Sequence, residues 1–255
     1  MYHFNPGGNR SGREFLEQCV AIEADSAEAH TALYYCNITD YMERWVGDRK
    51  ASFERALTHA RRAIECAPND SATHAAYAEC AMFRAAFDDA EAHAQRAVEL
   101  NPNNPIALTT ASDVQRALGK MQAAFELAES ARRLDPYHPW VGWVLGTVYL
   151  SVGRYQDAID LLRSMPNPVD EISGFIAACY ELQGDHDNAV AAMQTYLDLA
   201  RKNMVSMPAT AEEWRAHWSA NAPSKDPADL DILIDALFAA GLGDVPGDDA
   251  GSATR

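Results

Sequence analysis

Three prolines, Pro68, Pro102 and Pro136, stand 34 residues apart, and each closes a similar phrase. The phrases are Arg62-Ala63-Ile64-Glu65-Cys66-Ala67-Pro68, Arg96-Ala97-Val98-Glu99-Leu100-Asn101-Pro102 and Ser130-Ala131-Arg132-Arg133-Leu134-Asp135-Pro136. Alanines keep the same period: Ala56, Ala90, Ala124 and Ala158 are 34 apart, and Ala189 follows after 31. Ala60, Ala94 and Ala128 form a second column, and Ala63, Ala97 and Ala131 a third. Within each unit the columns fall at i, i+4 and i+7, one face of an α-helix. Small side chains there let a second helix approach closely, and the proline stops the helix because it cannot continue the hydrogen-bond ladder. Such a unit holds two helices of roughly 12–15 residues and two turns. One pair cannot bury its own apolar face, so the pairs must stack. The expected fold class is all-α.

Laid over this period, Leu145-Gly146-x2-Tyr149, then Gly153-Arg154-Tyr155 and Ala158, resembles the tetratricopeptide repeat, W-x2-L-G-x2-Y … A-x3-F … P. In that register Tyr34, Ala78, Ser112, Gly146 and Ala177 take the small position, while the tryptophan position is degenerate (His30, His74, Leu108, Gly142, Ser173). The resemblance covers about residues 11–202. It implies a right-handed α-solenoid of about five helix-turn-helix repeats. Helices are expected near 12–23, 27–44, 50–66, 71–85, 87–100, 105–118, 121–133, 139–152, 155–165, 170–183 and 186–202. The first unit carries about ten extra residues around Asp40 to Lys50, and Pro166 and Pro168 shorten the fourth. The helix near 12–23 reads as the second of a pair whose first would lie upstream, so an unpaired apolar end is expected, open to self-association.

Two more helices are expected after the repeats. Thr210-Ala211-Glu212-Glu213 is a capping box, and Asp226-Pro227 is an N-cap with N1 proline, with Gly241 as the stop. The stretch Lys225 to Leu242 resembles the end of repeat regions appended to bacterial class III adenylate cyclases and related signalling regulators. The expected organisation is a solenoid over 1–203 with an incomplete first repeat, capping helices over 204–243, and a disordered acidic tail over 244–255.

The chain of 255 residues is 48% hydrophobic, with 37 acids against 21 bases and a net charge of −16. That charge repels phosphate backbones and anionic headgroups, so neither nucleic acid nor a membrane is an expected partner. No apolar run approaches the ~20 residues of a membrane span, and Met1–Pro6 shows no secretory leader pattern. Five cysteines without a C-x-x-C pair fit a reducing cytoplasm.

The reactive residue types follow the repeat. Cys36, Cys80 and Cys179 share one repeat position, two after the small site. His30 and His74 share another, and His59 and His93 a third, 34 apart. A shared slot points to packing, and no spacing matches a zinc site, a nucleophile elbow or a phosphate loop. No catalytic residue, cofactor site or metal site is expected.

What the resemblance implies is protein binding in a concave groove lined by the first helix of each pair. The groove positions place there Tyr35, Glu79, Met82, Phe83, Asp113, Arg116, Trp140, Trp143 and Thr147. For Trp140 and Trp143, packing between neighbouring repeats is an equally open reading. Where a known subtype carries Lys, Arg and Asn to clamp a C-terminal carboxylate, this chain has Thr31, Ala75, Thr109 and Trp143, then Tyr35, Glu79, Asp113 and Thr147. Only Arg116 is basic, so a basic or apolar peptide is the expected partner. The alternative reading is the regulatory C-terminal portion of a cyclase or transcriptional regulator.

Overall fold

The structure is a computed structural model that describes residues 5–165 and 170–243. Pro166, Pro168 and the tail 244–255 lie outside the described residues. The order is α1 (Pro6–Ile22), α2 (Ala27–Met42), α3 (Arg49–Cys66), α4 (Ser71–Phe83), α5 (Phe87–Leu100), α6 (Pro105–Ala117) and α7 (Met121–Leu134). It continues α8 (Pro139–Ser151), α9 (Tyr155–Arg163), α10 (Glu171–Leu182), α11 (His186–Asn203), α12 (Ala211–Asn221) and α13 (Pro227–Ala239). Helices α2 to α11 form five antiparallel pairs, and each pair packs on the next.

The repeat recurs at the helix ends. Asp70, Asn104 and His138, 34 apart, cap α4, α6 and α8 by accepting from the first free backbone N–H groups. The turns inside the pairs place Ala85, Gly119, Gly153 and Gly184 at φ of 56°, 74°, 77° and 86°. Glycine adopts this left-handed conformation freely, and Ala85 bears it with strain. The alanine columns are the closest helix contacts: Ala56, Ala60, Ala63, Ala90, Ala97, Ala124 and Ala131 are fully buried, Ala94 and Ala128 nearly so.

Helix α1 begins earlier than its apolar spacing suggests, because Asn5 caps it and Pro6 occupies N1. It docks on α2 through polar contacts. Asn9 Nδ2 donates to the Cys36 carbonyl at 2.9 Å and to Asp40, and Arg13 pairs with Asp40. Its apolar residues Phe15 and Ile22 are exposed.

The histidine columns meet each other. His30 Nδ1 lies 2.9 Å from His59 Nδ1, and His74 Nδ1 lies 3.0 Å from His93 Nδ1. His30 Nε2 reaches the Ala24 carbonyl and His74 Nε2 the Pro68 carbonyl, each at 3.1 Å. A carbonyl only accepts, so His30 and His74 donate from Nε2 and accept at Nδ1 from the second ring. Burial first, then the neighbouring imidazole, lowers His93 and pushes His59 down to about 4. The unfolded histidine titrates near 6.5, so this stability is present above that pH and is lost as pH falls from about 6.5 toward about 4. His59→Phe is expected to flatten that acid limb in urea titrations followed by circular dichroism, and an unchanged limb would count against it.

The C-terminal segment folds back against the first repeat. Val205 N–H donates to the Arg44 carbonyl at 2.9 Å, and Arg44 Nε donates to the Ser206 carbonyl at 2.9 Å. Asn221 Nδ2 donates to the Met42 carbonyl at 2.9 Å and to Glu171. The extra residues of the first unit thus receive the end of the chain. One apolar core runs from Tyr34 and Met42 through Trp143 and Phe175 to Trp218 and Leu237.

Candidate functional site

The inner faces of α6, α8 and α10 carry residues that a one-sided helix would leave polar. Helix α8 is apolar all round, with Val141, Trp143, Val144, Leu145 and Val148 buried. Trp140 and Trp143 stack edge to face at 5.1 Å. Trp143 then meets Phe175 at 6.2 Å, and Phe175 meets Trp218 at 5.3 Å. This aromatic ladder links α8, α10 and α12, and its edge-to-face geometry adds to the area it buries.

Beside the ladder is a cavity of about 140 Å³. Its walls include Phe83, Asp113, Arg116, Trp140, Trp143, Thr147, Tyr155 and Phe175, and its roof Asn221, Ser224, Leu230 and Leu233 from the C-terminal segment. A cavity of such size is enough for one aromatic ring or a branched aliphatic side chain. The indole N–H groups of Trp140 and Trp143 are buried and meet no acceptor among the described residues. An unpaired buried donor costs about 1–3 kcal/mol. Arg116 Nε donates to Asp113 Oδ1 at 2.7 Å, one turn apart on α6, which leaves this wall near neutral.

Of the nine groove candidates, Phe83, Asp113, Arg116, Trp140, Trp143 and Thr147 line the cavity. Tyr35, Glu79 and Met82 do not. Met82 is fully buried between α4 and its neighbours, and Glu79 is 3% exposed beside Tyr34 and Tyr35. Burial pushes the Glu79 carboxyl up to about 8, with Asp113 adding to the effect and Tyr34 opposing it. Trp143 belongs to both readings left open above, since it is core on one side and cavity wall on the other. The repeat register does not single out Met42, Phe175 or the roof residues as cavity lining. For Met42 the signal is the ten-residue excess of the first unit, which has no role in an isolated repeat.

A second buried polar cluster fastens the roof. Glu171 and His217 are fully buried, with His217 Nε2 at 3.3 Å from Glu171 Oε1 and from the Tyr196 hydroxyl. Burial lowers His217, while burial and then Glu171 raise Glu43 well above the carboxylate range. Arg49 Nη2 donates to Asn221 Oδ1 at 3.3 Å and holds a positive charge at the edge.

The cysteines of the shared slot are poor nucleophiles. Burial pushes Cys179 up to about 12 and, with Asp40, Cys36 up to about 11, and it raises Cys80 further. All three remain thiols at neutral pH, whereas attack needs the thiolate. Among the described residues no group of three or more His, Cys, Asp or Glu side chains could hold a metal, and no helix is long and apolar enough to cross a membrane.

Comparison with known proteins now supplies a family. Models of the tetratricopeptide repeat match residues 81–139, 115–171 and 171–203. Residues 225–242 lie outside these matches, and none of the matches shows the expected resemblance to cyclase-associated regions. No curated protein matches the chain. Among solved structures, a tetratricopeptide protein of Thermus thermophilus is similar at 20% identity and TM-score 0.54, over 67% of this chain and 91% of that one. A chain of the APC/C hetero-tetramer Cut9-Hcn1 is similar at 16% identity and TM-score 0.60. That likeness covers 94% of this chain and 46% of the other. At these identities the likeness concerns the fold alone. Five stacked helical pairs, a 34-residue period and three matching repeat models together make this chain a tetratricopeptide-repeat protein, an α-solenoid of the protein-interaction class.

Proposed function

We propose that the chain holds a segment of a partner protein at its concave face, with an apolar side chain of that segment seated in the cavity beside Trp143. The observation that carries this reading is the cavity itself, walled by Phe83, Trp140, Trp143 and Phe175. Aromatic walls with a few fixed polar groups are how proteins seat anchor residues, because a desolvated ring gains area there. The role is binding, without catalysis.

The polar lining argues for the chemistry of the ligand. At the positions where a carboxylate clamp would need cations stand Glu79 and Asp113, and Arg116 is already paired with Asp113. An acidic C-terminus would meet net repulsion from a chain of charge −16. An apolar segment with neutral or basic flanks is favoured.

A photo-crosslinking residue at position 147 tests this in cells of the native host. Adducts with a discrete partner segment are expected from 147 and not from exposed Glu126 on α7. Identical adducts from both positions, or none from 147, would remove the reading.

A further inference from the structure

The two C-terminal helices are held by unequal means. Helix α12 is keyed into the core, where Trp214 is 1% exposed and Trp218 fully buried. Its last residue, Asn221, is bonded to Met42, Glu171 and Arg49. Helix α13 packs along α10 with no comparable contact to α11, so it does not take the place that a next repeat would fill. Its N-terminal half lies over the cavity, where Leu230 and Leu233 face the same space as Trp143 and Thr147. Leu233, Ile234 and Leu237 are buried, Leu230 is half-buried, and Ile232 is 56% exposed.

The polar ties of α13 are weak ones. Arg215 pairs with Asp231 at 2.8 Å and Asp235 at 3.0 Å, and all three side chains are well exposed. Solvent-exposed pairs contribute little. A helix resting over a void also forfeits dispersion contacts on that side. The connection from α12 runs through Ala222-Pro223-Ser224-Lys225, tied to α6 by Lys225 N–H donating to the Ala117 carbonyl at 2.7 Å. Helix α12 is thus keyed by buried polar groups, whereas α13 is held by its apolar stripe, Leu233, Ile234, Ala236 and Leu237, which another apolar helix could match.

We propose that α13 is an internal stand-in for the partner. On this view the external ligand is an amphipathic helix that docks on α8 and α10 by taking the place of α13. Its apolar residues would repeat the i, i+3, i+4, i+7 spacing of Leu230, Leu233, Ile234 and Leu237. This rests on the reading of the groove as the partner site, and adds to it the form of the ligand and the competitor it must displace. The acidic residues Asp229, Asp231 and Asp235 are exposed, so recognition falls on the apolar stripe. A free helix of this length is marginal in water, so such a ligand orders as it docks. Because α13 covers the site, apparent affinity is reduced by the fraction of molecules in which the cover is open.

The probe is a fluorescein-labelled peptide of residues 226–242, titrated by anisotropy into the full chain. Wild type is expected to bind it at least tenfold more weakly than the Leu233→Asp/Leu237→Asp double variant, whose own α13 no longer competes. Adding Thr147→Arg to the double variant is expected to abolish binding. Equal affinity in wild type and double variant, or tight binding indifferent to Thr147→Arg, overturns the proposal. Hydrogen exchange on the unmodified chain gives a readout free of folding defects. Amides of α13 are expected to exchange at least tenfold faster than those of α10 and α12, and equal protection overturns the proposal. If position 147 crosslinks a partner while the peptide fails to bind, the groove reading stands and the stand-in falls; loss of both removes the groove reading as well.

Discussion

Trp218→Ala is expected to destabilise the chain by about 3–5 kcal/mol, the range for removing a fully buried tryptophan from a well-packed site. The indole of Trp218 is fully buried, ringed by Phe175 at 5.3 Å and Tyr196 at 5.5 Å. It also rests on the bare backbone of α10, since a Cβ built on Gly174 would come within 2.7 Å of the ring. No neighbour can collapse into the space of a lost indole without moving α12, so the cavity penalty applies in full. The loss is expected to spread: α12 anchors Asn221, and with it the ties to Met42 and Arg49 in the first repeat. Urea unfolding followed by circular dichroism, with hydrogen exchange by segment, measures both. A loss under about 1 kcal/mol would mean that the C-terminal helices are appended to the solenoid and not part of its core.

Glu79→Gln is expected to make the chain more stable at neutral and mildly alkaline pH. Glu79 is buried on α4 among Tyr34, Tyr35 and Asp113, and its carboxyl is raised to about 8 from the model-compound value of 4.5. The folded state therefore holds a proton that the unfolded state releases. A folded value above the unfolded one gives a contribution fully present below pH 4.5 and lost as pH rises toward 8. By pH 7 that difference is on the order of 3 kcal/mol. Glutamine keeps the shape and does not titrate, so the variant and wild type should agree near pH 4.5 and diverge above pH 6. Parallel stability curves across this range would sink the argument. The histidine pairs work in the opposite direction at the acid end, so the difference between the two proteins at each pH is the informative quantity.

Much of the architecture was legible in local chemistry. Columns such as Ala56–Ala60–Ala63 follow from the geometry of one helix meeting its partner, and a 34-residue spacing repeats that geometry until a solenoid is the only stack available. The caps at Asp70 and Asn104 and the Asp226-Pro227 start are equally local. In the cysteine slot Cys80 and Cys179 are buried and Cys36 is half-buried, and His30 and His74 meet His59 and His93. Asn5-Pro6 starts α1 six residues before its apolar spacing begins, because capping needs only the backbone.

The site was legible only in part, and Glu79 and Phe175 show why. A repeat register assigns each position to a face of its own helix, which is enough to put Asp113, Trp143 and Thr147 on the inner side. It does not say whether that side meets water or another part of the chain. Glu79 holds a groove position yet is buried, because neighbouring helices close over it. Phe175 becomes a cavity wall only because Trp218 arrives from beyond the repeats.

The period-34 pattern by itself therefore determined an all-α stack of five pairs, since burial of each helix face is a matter between sequence neighbours. Tertiary structure alone decided that the first repeat and the chain end clasp each other, and that α13 roofs the cavity beside Trp143. Those contacts join residues as far apart as Arg44 and Ser206 or Met42 and Asn221. Such pairings leave no period to read, because they depend on the accumulated curvature of all the intervening repeats.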